Sequence, residues 1–151
     1  MTISERLTEL HITLPAPAKP LGSYVPARRH GALLHLSGHL PRRDGQVVHG
    51  RVGAEVGLEI AQQMARKIAL ELVATAAEAA GGVDRLAGVV KLVGFVRSAP
   101  GFTKQPLVLN GASDVLVEIF GDAGRHARSA IGVSELPMGA VMEIEAIFTM
   151  W

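Results

Sequence analysis

The chain contains no cysteine. That excludes a disulfide framework, a thiolate nucleophile and a cysteine-ligated zinc, and makes a reducing, cytoplasmic setting the simplest expectation. Aromatic residues make up only 4% of the 151, with one tyrosine and one tryptophan, and the formal net charge is +1. A dedicated nucleic-acid binder needs a basic footprint and stacking platforms, and this composition supplies neither. No apolar run reaches the ~18 residues a membrane helix needs, and Met1–Arg6 lacks the basic-then-apolar order of a secretory leader. Neither nucleic acid nor a membrane is therefore an expected partner. At 151 residues the chain suits one domain with a real core.

Hydrophobic periodicity lays out the elements. Thr2 and Glu5 have capping-box spacing ahead of Leu7 and Leu10, which predicts a short helix. Pro15, Pro17 and Pro20 then break regular structure, so residues 1–19 read as a helix and a proline-rich arm, with the main domain over 20–151. Gly31 to Ser37 reads as a buried strand ended by Gly38 and Pro41. Asp44-Gly45 is a hairpin turn leading to a short return strand at Gln46–Val48. From Ala54 to Ala80, Ile60, Met64, Ile68, Leu72 and Ala76 form an apolar stripe opposite Gln62, Gln63, Arg66, Lys67 and Glu71, and Gly81-Gly82 end this helix.

Leu86–Arg97 alternates as a strand, with Val89, Lys91, Val93, Phe95 and Arg97 on one face. Ser98–Pro106 reads as a loop, and either Asn110 or Ser113 caps a second helix that Gly121 ends. Two strands follow, over Ser129–Val133 and Ala140–Met150. The fold class is α+β, a mixed sheet with two helices on one face. In the last strand Met142, Ile144, Ala146, Phe148 and Met150 suit the helix side, whereas Glu143, Glu145, Ile147 and Thr149 share the other. Two helices cannot cover that second face, so it predicts self-association.

The most informative stretch is Arg125-His126-Ala127-Arg128-Ser129, followed by Leu136-Pro137 and then Glu143-Ile144-Glu145-Ala146-Ile147. An arginine fork is the natural receptor for a carboxylate, and a glutamate nearby can direct a water, so this pairing points to chemistry on a small organic acid. On residue type alone, Arg128 could equally pair with a glutamate of the next strand, and one of Glu143 and Glu145 could be held by Lys91. Arg125 and His126 read as loop charges. His35 and His39 sit four apart on a strand exit, not a helix, and do not share a metal-binding face, so no metal is expected. There is no phosphate-cradling loop and no nucleophile elbow.

Ala-Arg-Ser, Leu-Pro and Glu-x-Glu-Ala-Ile together resemble the C-terminal signature of the RidA (YjgF) family of enamine/imine deaminases. Pro20-Leu21-Gly22-Ser23-Tyr24 is similar to that family's N-terminal loop, and Ser37-Gly38-His39-Leu40-Pro41 to its strand exit. The resemblance implies a chorismate mutase-like fold assembled as a homotrimeric barrel with clefts between subunits. It implies hydrolysis of reactive 2-imino or enamine acids to 2-keto acids and ammonia, without a cofactor. By the same resemblance Arg128 grips the substrate carboxylate and Glu143 directs the water. Tyr24 caps the cleft, and Ser37, Gly38, Ser129 and Asp114 contribute to substrate binding. His39 stands where the family commonly has glutamine, Ser113-Asp114 fall where deaminating members have asparagine, and no glutamate follows the Arg-Ser pair. These departures mark a divergent branch, for which the alternative is a non-catalytic carboxylate-binding module with the same cleft. A chorismate mutase-like enzyme would need more cationic clamp residues.

Overall fold

The structure, a computed structural model, describes residues 1–19 and 22–151. Pro20 and Leu21 of the expected N-terminal loop motif, and the proposed boundary at residue 20, lie outside the described residues. Helix α1 (Ile3–Glu9) opens with the expected capping box: Thr2 Oγ1 accepts from Glu5 N–H, and the Glu5 carboxylate accepts from Thr2 N–H. Ser4 ties it to Asp84 through two 2.7 Å bonds, and Leu7 enters the core.

The main sheet holds β1 (Ala27–His30), β2 (Leu33–His39), β5 (Leu86–Arg97), β6 (Ala127–Val133) and β7 (Met142–Met150), in the order β1-β2-β7-β5-β6. β5 and β6 are parallel and the other pairs antiparallel, so the sheet is mixed. β1 has no counterpart in the sequence reading, because Ala-Arg-Arg-His at an exposed edge carries no apolar alternation. β3 (Arg42–Arg43) and β4 (Gln46–Val47) form the small expected hairpin, with Asp44 and Gly45 both at positive φ.

Helices α2 (Leu58–Ala80) and α3 (Gln105–Phe120) cover one face. Ala61, Met64, Ala65, Ile68, Ala69, Leu72, Val73 and Ala76 bury the α2 stripe against Leu34, Leu36, Ile144 and Phe148, and Gly81 stops the helix at φ 86. The mixed α+β class is thus the observed one. Two α2 assignments differ. Ile60 is 46% exposed, because the buried stripe enters the helix one position on, at Ala61. Glu71 is not on the solvent side but half-buried against β2.

The second helix begins well before Asn110 or Ser113. Pro106 sits in the first turn of α3, where its missing N–H costs nothing, so the residues read as a loop are helical from Gln105. Gly111 lies inside α3 against α2: a Cβ there would fall 2.1 Å from the Gln62 carbonyl oxygen. A β-bulge between Val89 and Lys91 also resets the β5 alternation. Val89 therefore faces the helices and Val90 is exposed, the reverse of strict alternation. Beyond the bulge Lys91, Val93, Phe95 and Arg97 do share the helix-free face, beside Glu143, Glu145, Ile147 and Thr149 of β7.

Candidate functional site

A second bulge builds the first half of the site. Leu36 pairs with Ala146 and His39 with Ile144, so Ser37 and Gly38 together oppose Glu145 alone. The extra residue turns His39 inward, and Ser37 is pinned by bonds from its N–H to Pro26 O (2.9 Å) and from its hydroxyl to Val25 O (2.6 Å). A Cβ at Gly38 would lie 2.8 Å from the Glu143 carboxyl carbon, so the missing side chain lets Glu143 fold over the bulge.

These groups border a cavity of about 470 Å³ whose wall also includes Tyr24, Lys19, Arg42, Glu71 and Met138. Tyr24 is half exposed at its mouth. Burial, with the Glu145 charge beside it, raises the Glu143 carboxyl above the ordinary glutamate range. Glu145 itself borders a separate shallow depression with His35 and Lys91. The expected Lys91–Glu145 ion pair does not form among the described residues. Lys91 stands level with Ile147 and Glu145 with Val93, so the two are offset along the shared face.

Arg128 anchors a second cluster on the opposite side of the sheet. In β6 it is level with Leu92, so it leans toward α3, where Nη1 donates to Asn110 Oδ1 at 2.8 Å and to Ser113 Oγ at 3.1 Å. The Ser113 hydroxyl in turn meets His126 Nε2 at 2.9 Å, and His126 Nδ1 lies 2.7 Å from the Gly124 carbonyl. One tautomer satisfies the chain: Nδ1–H donates to Gly124 O and Nε2 accepts from Ser113. Burial lowers the His126 pKa, which favours this neutral ring. Arg128 pairs with no carboxylate of β7, and its Nε and Nη2 have no hydrogen bond or ion pair among the described residues.

Asn110 and His126 are the residues that sequence reasoning misplaced. Asn110 was a candidate cap and His126 a loop charge, yet both hold the arginine. Asn110, not Asp114, bonds Arg128, and exposed Asp114 only borders the same depression. Ser129 is level with Val93 and so points to the helix-free face, away from Arg128. Arg125 is exposed and pairs with Asp122 at 3.4 Å. The Tyr24–Ser37–Gly38–Glu143 group and the Arg128 group line different depressions, so the connection from β6 to β7 does not bring Arg128 to Glu143 within the chain.

A mixed sheet backed by two helices, with a bulged Ser-Gly strand exit and an edge-strand arginine, defines a chorismate mutase-like protein. The family described as "YjgF/chorismate_mutase-like, putative endoribonuclease" matches residues 4–148, and the chain belongs to this RidA/YjgF family. Over 147 residues it is 44% identical to protein TCP17 of Trypanosoma cruzi, covering 96% of this chain and 92% of that one. It is 33% identical over 138 residues to a 2-iminobutanoate/2-iminopropanoate deaminase of Dermatophagoides farinae, with 90% and 92% covered. Among solved structures, Atu1372 of Agrobacterium tumefaciens superposes with a TM-score of 0.88 at 41% identity, covering 99% of this chain and 94% of that one. No helix among the described residues is long and apolar enough to cross a membrane.

Proposed function

We propose that the protein hydrolyses reactive 2-imino or enamine acids to 2-keto acids and ammonia, in the cytoplasm, at clefts each completed by two subunits of a homotrimer. One observation carries this reading: Arg128 is held through Nη1 by Asn110 and Ser113, while its remaining donor edge is left for a ligand. A guanidinium fixed at one end and open at the other is preorganised for a bidentate carboxylate. Glu143, Tyr24, Ser37 and Gly38 of the adjoining subunit supply the second wall.

The imine carbon is already electrophilic, so no cofactor enters the scheme. Glu143 takes a proton from water as the oxygen bonds to the C=N carbon and passes it to the nitrogen. Collapse of the resulting carbinolamine breaks the C–N bond, releases ammonia and leaves the keto group. A carboxyl raised above its ordinary range is better matched to that proton traffic than a fully solvated one.

The test is ammonia release from imines generated in situ from several amino acids. Wild type should exceed the buffer rate, and Arg128→Ala should lose on the order of 2 to 5 kcal/mol of transition-state stabilisation while staying folded. A wild type that binds 2-keto acids but releases no ammonia above buffer would make the protein a carboxylate-binding module instead.

A further inference from the structure

Thr75 is 2% exposed and stands beside Leu72, Val73 and Ala76 among the buried residues of α2. A hydroxyl buried in the middle of a helix needs a partner. Its oxygen accepts at 3.1 Å from the Ala18 N–H, 57 residues earlier, which ties the N-terminal arm to this helix. Upstream, Ile12 and Leu14 pack against the core. Between these two attachments Pro15 and Pro17 restrict the backbone, so a stretch without helix or strand is nonetheless held in one path.

That path runs along the cavity, where Ala16, Pro17 and Ala18 share the wall with Pro26, Leu40 and Met138. None of the three arm residues brings a polar side chain. Lys19 and Arg42 also border the cavity, but Glu71 and Glu143 equal them in number, so the lining has no excess of formal charge that would call for a charged ligand tail. We propose that the arm, pinned by Thr75, is a specificity wall that selects 2-imino and 2-keto acids whose side chain is an aliphatic chain several carbons long. This rests on the reading of the cleft as a 2-imino or 2-keto acid site. Glu143 and the Ser37–Gly38 bulge border the same cavity, so a substrate with its C=N carbon at Glu143 extends its side chain into the space that the arm bounds. At about 470 Å³ that space falls in the ~300–1,000 Å³ range of sites that enclose sizeable ligands, and a methyl side chain would leave it largely to water. Because the arm is already fixed, burying a longer tail is not offset by ordering the wall.

The experiment is calorimetric binding of the 2-oxo acids derived from alanine, norleucine and glutamate, whose side chains are methyl, butyl and carboxyethyl. Wild type should bind the butyl acid at least about tenfold more tightly than the methyl acid, since the added methylenes leave water. Thr75→Val keeps the shape but removes the acceptor, and should cut that preference at least about threefold while methyl-acid binding stays as it was. Thr75 does not itself border the cavity, so such a change is transmitted by the arm, whereas a general structural defect would weaken both acids alike. Thr75→Ser should keep the preference. In wild type the butyl acid, and not the methyl acid, should slow hydrogen exchange at the Ala18 amide, a readout that needs no substitution to fold. Should Thr75→Val not fold, Pro17→Gly, which takes a ring out of the wall, should cut the preference in its place. Equal binding of the butyl and methyl acids, or a preference that survives loss of the anchor, would overturn the wall, and ammonia release from the corresponding imines would leave the deaminase reading standing. An arm-dependent preference without ammonia release would do the reverse. Tightest binding of the glutamate-derived acid would assign recognition to Lys19 and Arg42 and overturn the proposal, and failure of all three acids to bind would overturn it together with the carboxylate site.

Discussion

At the residue scale, the two glutamates of β7 differ in surroundings more than in chemistry. Glu143 is raised by burial and by Glu145, so a reaction that needs its carboxylate should gain rate with pH through a range above that of an ordinary glutamate. Glu145→Gln removes the neighbouring charge and should move this acid limb to lower pH, with little change in melting temperature because no ion pair is lost. An acid limb that stays in place when kcat/KM is measured against pH would exclude Glu143 as the base. Gly38→Ala should act through the same group: the added methyl meets only the flexible end of Glu143, so stability should change by less than about 1 kcal/mol while activity falls sharply.

His39 gives a pH dependence of the opposite kind. Its folded-state pKa of about 4 lies below the unfolded value of 6.5, so the unfolded chain takes up the proton first as pH falls. The stability tied to neutral His39 is complete above about 6.5 and declines as pH drops toward 4. The shift corresponds to about 3 kcal/mol. Glu71, raised by burial, works the other way and offsets part of the loss. Unfolding in denaturant should therefore lose more stability between pH 7 and pH 4.5 (near the lower end of that window) for wild type than for His39→Gln, and equal losses would place the ring in solvent-like surroundings.

At the element scale, what the sequence disclosed followed from periodicity and what it hid followed from local exceptions. The α2 stripe, the capping box on Thr2 and the alternation of β7 all came through, because each pattern repeats often enough to outweigh single residues. A bulge leaves no compositional trace, so the inward turn of His39 and the face change at Val89 were not readable. α3 was shortened because Pro106 and Gly111 are loop residues by propensity, and only the contact with α2 explains the glycine. Of the site, Arg128, Glu143, Tyr24, Ser37 and Gly38 were named from motifs. Asn110 and His126 were not, since their use depends on how α3 sits against β6. Gly111→Ala tests that packing. On an exposed helix the change would stabilise by about 1 kcal/mol, but a methyl 2.1 Å from the Gln62 carbonyl must part α2 and α3. A loss of roughly 1 to 3 kcal/mol in chemical unfolding is expected, and a gain would show that the helices are not in contact there.

At the scale of the whole molecule, the helix-free face and the separation of the two half-sites lead to one assembly. Val93, Phe95 and Ile147 are only partly covered on that face, and Ile131 of β6 is 45% exposed beside them. We expect a trimer by light scattering at micromolar concentration, burying ~2,000 Å² or more in contacts of the obligate kind. The sharper test mixes two inactive proteins. Arg128→Ala keeps Glu143, and Glu143→Gln keeps Arg128. In the proposed cyclic assembly each cleft would take Glu143 from one subunit and Arg128 from its neighbour. After joint unfolding and refolding at equal amounts, a given cleft has one chance in two of receiving an intact Glu143 and one in two of receiving an intact Arg128. About a quarter of the clefts should then be whole, and close to that fraction of wild-type ammonia release should return. If both residues served one site within a single chain, every site in the mixture would still lack one of them, and no activity would reappear.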